Sequence, residues 1–428
     1  MGFLEVMRER GLVAQITHED ELGAHLASGP RTAYCGFDPS ADSLHVGSLL
    51  PIMALRRWQA AGHRVVALVG GGTGLIGDPS GKTEMRQMVE EDGLQKNLAG
   101  IRGQLERFLD LKDPKRGIVV NNADWLGELK YLPFLREIGR HFSVNRMLTA
   151  DCFKQRLEKG LSFFEFNYML LQSYDFLHLY KAQGCTVQLG GDDQWSNMLS
   201  GVDLVRRLTG GKAFCVTLPL LATSDGRKMG KTEKGAVWLD AEKTSPFEYY
   251  QYWRNVEDVM VEPCLRYFTD LEMPEILRLG ALKDAAINEA KKRLAWECTT
   301  IAHGKAAADE AQESAGRLFG AGSPGGVAGG DSGNEPEHFV SRSELSALLG
   351  GHQGSNNQDI SIVDLLAAAG VVETKAEAKR LIQQGGLSLD NVKITDLQAR
   401  IPIKSLEKSG GCLVRKGKKH YHRIRLRD

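Results

Sequence analysis

Two lysines three residues apart, Lys228 and Lys231, stand in the polar stretch Arg227-Lys228-Met229-Gly230-Lys231-Thr232, just after Ser224-Asp225-Gly226. On a glycine-containing loop such a pair suits a clamp for pyrophosphate, and an ordinary charged turn fits the same residues. Far upstream, Leu44-His45-Val46-Gly47-Ser48 opens a helix behind a strand and an Asp38-Pro39 turn. A helix start offers free amides and a positive dipole end, which suits a triphosphate. His45 can hydrogen-bond a phosphoryl group as it becomes five-coordinate, and Gly47 lets a base or ribose approach the backbone. A capping or core histidine is the plainer reading. A third group lies in Ser162–Lys181, apolar on nearly every face and therefore expected to be a buried helix. Tyr168, Gln172 and Asp175 share one face of it. Burying a carboxylate is costly unless it is paired, so Asp175 is either a satisfied core acid or an acceptor for a ligand hydroxyl.

Two glycine-rich patterns imitate phosphate motifs. Gly72-Thr73-Gly74-Leu75-Ile76-Gly77 follows a strand as a dinucleotide fingerprint does, but Pro79 and Gly81 oppose the helix that should run on from it. Gly77-Asp78-Pro79-Ser80-Gly81-Lys82-Thr83 lacks one residue of a Walker A loop, which changes the amides that face the phosphates. A loop bearing Lys82 and Arg86 still suits a flap over phosphates, and equally suits a solvated loop.

These groups need a frame. Strand-like runs at Arg31–Phe37, Arg64–Val69, Ile118–Asn121 and Thr186–Gly190 alternate with helical stretches. That alternation predicts an α/β fold with a parallel sheet, Rossmann-like, with ligands at the carboxyl ends of its strands. From Pro246 to about Phe319 the pattern is helical, and Gly320–Gly333 has linker composition. The expected domains are 1–222 (catalytic), 223–319 (signature loop and α-helical part), 320–358 (flexible linker) and 359–428 (a small α+β unit).

Lys plus Arg equals Asp plus Glu at 54 each, so overall charge names no partner, but its distribution does. From Asp359 onward fourteen basic residues face eight acidic ones, and Gly411–Arg427 holds seven cations and no carboxylate. A basic end on an acidic body predicts a polyanion partner. Seven scattered cysteines without a C-x-x-C pair argue against a disulfide framework or structural zinc and for a reducing compartment. No apolar run approaches membrane-spanning length and no signal pattern opens the chain, so the expectation is cytoplasmic, with no membrane partner.

Taken together, the His45 and Lys228–Lys231 elements resemble the two signatures of class I aminoacyl-tRNA synthetases. Closest is the tyrosyl family of bacteria and organelles, over nearly the whole chain. The resemblance rests on Tyr34-Cys35-Gly36-Phe37-Asp38-Pro39-Ser40-Ala41-Asp42-Ser43-Leu44-His45, Gly77–Lys82, Gln188-Leu189-Gly190-Gly191-Asp192-Asp193-Gln194-Trp195 and Ser245–Gln251. Ser48 replaces the second signature histidine, and Gly230 and Thr232 replace two serines. Serine can still donate to a phosphate oxygen or a ribose, with shorter reach and no charge.

The resemblance implies activation of tyrosine with ATP and Mg²⁺, transfer to tRNA(Tyr), and a homodimer. It implies that Tyr34 and Asp175 contact the phenol, while Tyr168, Gln172 and Asp78 hold the amino group. Gly36, Asp38, His45, Gly47, Gly191, Asp193, Gln194 and Lys231 would bind ATP. His45, Ser48, Lys82, Arg86, Lys228, Lys231 and Thr232 would serve the phosphates, with no metal held by the protein itself. Val371–Arg380 resembles a small RNA-binding fold of a ribosomal protein, with Lys375, Lys379, Arg380, Arg415, Lys416, Lys418 and Lys419 as expected RNA contacts. The alternative is an inactive paralogue that acts as an RNA-binding or splicing factor.

Overall fold

The computed structural model describes residues 2–80, 91–150, 153–154, 157, 160–222, 229–232, 235–319, 337–348, 359–390, 392–406, 411–417 and 420–427. The chain forms two compact units, Met1–Ala308 and Asp309–Asp428.

In the first unit the strands of the main sheet are β1 (Gln15–Ile16), β2 (Thr32–Phe37), β3 (Arg64–Val69), β4 (Gly117–Asn121), β5 (Cys185–Gly191) and β6 (Phe214–Leu218). They form one sheet in the order β1-β6-β5-β2-β3-β4, parallel except for β1. The expected parallel sheet is therefore present, and β3 has the expected bounds. β1 and β6 went unread in the sequence. β6 is buried along its whole length, so it lacks the alternation that marks a strand.

The sheet order reverses between β2 and β5, which pair directly, with Tyr34 opposite Gln188. Chains leaving these two strands diverge and open a crevice at their carboxyl ends. The helix α1 (Val46–Ala60) follows β2, capped by His45 at its amino end. Helix α2 (Tyr168–Gln183) leads into β5 and packs against α3 (Trp195–Thr209). The buried helix expected over Ser162–Lys181 is in fact two pieces. Phe163–Phe166 is a separate turn with its own Ser162–Glu165 capping box, and Phe163 and Phe164 are exposed.

Beyond the sheet come the helices α4 (Pro246–Arg254), α5 (Asp258–Phe268) and α6 (Ile287–His303). Two guanidinium groups tie this part to the start of the chain. Arg10 donates to the carbonyls of Arg266, Thr269 and Leu271 at 3.0, 3.0 and 2.6 Å. From the last turn of α1, Arg57 donates to those of Arg266, Tyr267 and Thr269 at 3.3, 3.0 and 3.1 Å. The last carbonyls of α5 thus gain donors that its own backbone cannot supply, where the helix dipole favours cations. Burial pushes the Arg57 guanidinium down to about 9, so it stays charged at neutral pH.

The second unit contains a five-stranded sheet and a two-stranded one. Among its strands is Glu337–Ser341, which runs parallel to the last strand, His420–Arg427, with Ile424 opposite His338. The helix Arg342–Leu348 follows it. The linker expected over 320–358 therefore includes ordered structure at 337–348. Val340 and Leu345 are buried in the unit's core, and a five-residue strand that depends on a distant partner leaves little local signal. A helix spans Lys375–Gln383, capped by the Thr374 side chain.

Replacing Arg57 with alanine leaves the α5 carbonyls in a dry site short of donors. Arg57→Ala is expected to lower unfolding stability by about 3 kcal/mol, measured by chemical denaturation.

Candidate active site

The carboxyl ends of four parallel strands deliver the polar residues of one site. Asp38 follows β2, Gly70–Gly72 follow β3, Asn122 follows β4, and Asp192–Gln194 form a short turn after β5. The dinucleotide-like pattern does not continue as a helix: Thr73–Ile76 is a single turn ended by Gly77 at φ 84°. Its use is different. Thr73 Oγ1 donates to Asp38 Oδ1 at 2.9 Å, and Tyr168 Oη donates to Asp38 Oδ2 at 3.0 Å. Close packing at Gly70 permits this, since a Cβ there would stand 2.2 Å from Asp38 Oδ1 and 2.5 Å from Thr73 Oγ1.

The chain of hydrogen bonds continues inward. Asn122 Nδ2 donates to Thr73 Oγ1 and to Asp175 Oδ2, both at 2.9 Å, and Trp125 Nε1 donates to Asp175 Oδ1 at 2.7 Å. Trp125 is itself stacked on His178, one turn along α2, with centroids 4.3 Å apart. Asp175 is thus a buried acid with a donor on each oxygen. Burial nevertheless raises its pKa to about 7, against the two donors, which lower it, and with Asp38 adding to the rise. Beside it, burial and then the Asp175 charge push the Tyr34 phenol well above its ordinary value. The Tyr34 hydroxyl, Gln172 Oε1 and Gln188 Oε1 are buried without a partner among the described residues. Buried polar atoms are normally paired, and a ligand is one way of satisfying them.

A second wall is built on Asp78. Gln194 Nε2 donates to Asp78 Oδ2 at 2.7 Å, and the Ser80 amide donates to Asp78 Oδ1 at 2.9 Å. The residues expected for an amino acid (Tyr168, Asp78) are therefore bonded directly to residues expected for a nucleotide (Asp38, Gln194). Gly36 is exposed on β2, and the Asp193 carboxylate lies over Gly191, where a Cβ would stand 2.7 Å from Asp193 Oδ1. Asp192 has a structural task instead, accepting from Gln15 Nε2 at 2.8 Å and Thr217 Oγ1 at 2.7 Å.

The two signature elements meet through backbone. His45 Nδ1 accepts from the Gly47 amide at 3.0 Å, so this histidine caps the helix. Ser48 is half-buried, its amide donating to the His45 carbonyl at 2.8 Å. The Val46 amide donates to the Val237 carbonyl at 3.0 Å, and the Val237 amide to the Gly230 carbonyl at 2.8 Å. Gly230 has φ 85°, and a Cβ there would stand 3.1 Å from Gly47 N and 3.2 Å from Val46 Cβ. Glycine in place of the usual signature serine thus suits a backbone that other residues rarely adopt. Lys231 and Thr232 lie in a short strand, and their side chains are outside what the structure describes. Lys82, Arg86, Lys228, Lys418 and Lys419 lie outside the described residues.

In the second unit Lys379 and Arg380 are exposed on their helix, while Lys375 pairs with Asp364 at 2.7 Å. Arg415 donates to Ser388 Oγ at 3.1 Å. The Lys416 ammonium is held by Glu377 Oε1 at 2.5 Å, which joins strand to helix and lowers the Glu377 pKa.

Thr73, Asn122, Trp125 and Gln188 belong to the site but were not singled out from the sequence. For Asn122 a signal existed, a polar pair ending an apolar strand. Thr73 lay inside a pattern read for a motif it does not form. Among the described residues no group of three or more His, Cys, Asp or Glu is placed to hold a metal ion, and no helix is long and apolar enough to cross a membrane.

The chain is similar to known proteins. A family model for class I tRNA synthetases (W and Y) matches residues 27–320, and one for a tyrosine--tRNA ligase SYY-like C-terminal domain matches residues 352–424. The chain is 51% identical over 420 residues to the tyrosine--tRNA ligase of Clostridium tetani, covering 98% of each. It is 50% identical over 423 residues to that of Clostridium botulinum strain Eklund 17B, covering 99% of each. Among solved structures it is similar to a C-terminally truncated mitochondrial tyrosyl-tRNA synthetase of Aspergillus nidulans. That likeness has a TM-score of 0.67 at 32% identity, over 74% of this chain and 94% of that one.

The buried acid makes a pH prediction. The folded chain keeps the Asp175 proton to about 7, against an ordinary value of 3.8. Stability from this group is therefore whole below about pH 4, lost as pH climbs to about 7, and level above. Between those limits Asp175→Asn should lose less unfolding free energy than the wild type, measured by denaturation at each pH. Parallel curves would remove Asp175 as the titrating group.

Proposed function

This chain belongs to the class I tRNA synthetases of the W and Y family, and we propose that it activates tyrosine with ATP and transfers it to tRNA(Tyr). The observation that carries the choice of tyrosine is the unpartnered, buried Tyr34 hydroxyl beside the Asp175 carboxyl. A substrate phenol placed there donates to Asp175 and accepts from Tyr34. Phenylalanine would leave both groups dry, at the cost of an unmet buried polar group. Gln172 Oε1, also unpartnered, joins Tyr168 and Asp78 in holding the α-ammonium.

In the first step a carboxylate oxygen of tyrosine attacks the α-phosphorus of ATP. A C–O–P bond forms, the bond to the bridging oxygen breaks, and pyrophosphate leaves. The acid is already a nucleophile, so no general base is required, and catalysis is positioning together with stabilisation of the phosphates. Gly36, Asp38, Gly47, Gly191, Asp193 and Gln194 hold the nucleotide. The hydrogen bonds of Asp38 with Tyr168 and of Gln194 with Asp78 keep the two substrates side by side. His45, Ser48, Lys82, Arg86, Lys228, Lys231 and Thr232 serve the phosphates, with Mg²⁺ entering as part of the ATP substrate. In the second step a hydroxyl of the terminal ribose of tRNA attacks the carbonyl, and AMP leaves. Lys375, Lys379, Arg380 and Arg415 make the phosphate contacts of the small domain. Lys416, committed to Glu377, is the weakest member of that set. The inactive-paralogue reading gains no support from relatives at half identity that are named as ligases.

The working form is a homodimer. Tyr131, Leu132, Val144 and Phe163 are 62%, 75%, 56% and 69% exposed. The segments that carry them pack around a common cluster of Met147, Phe153, Met169 and Leu170. A second copy covering them accounts for apolar side chains left in water.

ATP–pyrophosphate exchange is expected with tyrosine and not with phenylalanine or tryptophan. No exchange with any of the three, from folded protein, sinks the reading. Tyr34→Phe should raise the KM for tyrosine by about fivefold and leave folding stability unchanged or higher, because the lost hydroxyl has no partner among the described residues. Light scattering of Phe163→Asp should give half the mass of the wild type.

A further inference from the structure

The link between the two signature elements does not end at Gly230. The Gly230 amide donates to Tyr252 Oη at 3.0 Å. Gly230 is buried, so without that oxygen its amide would have no partner in a place with little water. On the same residue the carbonyl accepts from the Val237 amide, and the Val237 carbonyl accepts from Val46 at the start of α1. One phenol oxygen therefore terminates a backbone ladder that runs into the first signature. The next residue after this peptide is Lys231, which begins the strand Lys231–Thr232.

Tyr252 is presented from a rigid element. Helix α4 begins with a Ser245–Glu248 capping box and a proline in its first turn. Its Tyr249 and Trp253 are fully buried, and it packs along α6. The ring of Tyr252 meets Trp253 edge-on at 5.1 Å. Burial pushes the Tyr252 phenol well above its ordinary value, so it is a neutral hydroxyl at any working pH.

We propose that Tyr252 is a positioning residue for the ATP end of the site, holding the Gly230 peptide, and so the departure point of Lys231, against the start of α1. This rests on the ligase reading above. It assigns a role to an oxygen that touches neither substrate, and its effect should fall on ATP and not on tyrosine, whose pocket lies around Tyr34 and Asp175.

The test is tyrosine-dependent pyrophosphate exchange by the full chain, wild type against Tyr252→Phe, with ATP and tyrosine varied separately. Phenylalanine keeps the ring and removes only the oxygen. The expected result is a loss of about fivefold in kcat/KM for ATP, the factor carried by one neutral hydrogen bond. The KM for tyrosine should stay unchanged, and the thermal midpoint should fall by no more than a few degrees, the cost of the buried Gly230 amide left without an acceptor. Gly230→Ala, which strains the same turn, should show the same split. The double variant should lose less than the product of the two single losses. Unchanged ATP kinetics in Tyr252→Phe overturn the proposal, and so do equal losses for both substrates. A wild type with no tyrosine-dependent exchange would bring down the ligase reading itself, and this role with it.

Discussion

Asp175 is an acid in a helix with almost no access to water, and each of its oxygens meets a donor supplied by the segment that follows β4. Those two donors come from residues about fifty positions earlier in the chain, so the helix and the sheet must be seated against each other for the acid to be tolerable. The same bonds extend through Thr73 to Asp38 and Tyr168. A displacement at any link would leave a buried polar atom unmet, and this makes the pocket rigid before substrate arrives. Rigidity matters here because the chemistry asks the protein for placement more than for proton transfer.

The meeting of the two signature elements follows a different principle. There the main chain of two distant segments interlocks through Val46, Val237 and Gly230. Close approach depends on glycine, since a Cβ at Gly230 would press on Gly47 and Val46. Around Asp175, by contrast, the links are short side-chain hydrogen bonds.

Much of this was legible in local pattern. Asp175 stood out because a carboxylate interrupts an apolar helical run, and the parallel sheet because strand-like runs alternate with helical ones. The signature elements were legible because their residues are contiguous. By contrast, Thr73, Asn122 and Trp125 are ordinary in their own surroundings, and their roles come from partners far away in sequence. Lys416 shows the opposite case: a cation in a basic run looked free to meet RNA, yet Glu377 had already engaged it. Strand Glu337–Ser341 escaped notice because its pairing partner is the last strand of the chain.

By itself, then, the sequence determined the kinds of groups present, the helical and strand periods that carry them, and the family they resemble, since each of these is written in neighbouring residues. Tertiary structure alone decided which polar groups are satisfied and which have no partner among the described residues. The Tyr34 hydroxyl, Gln172 Oε1 and the Asp175 carboxylate are all buried oxygens, but only folding sets two donors on Asp175 and none on the other two. The physical reason is that satisfaction of a buried group depends on distance and direction to atoms elsewhere in the chain, and these exist only once the sheet order and helix packing are in place.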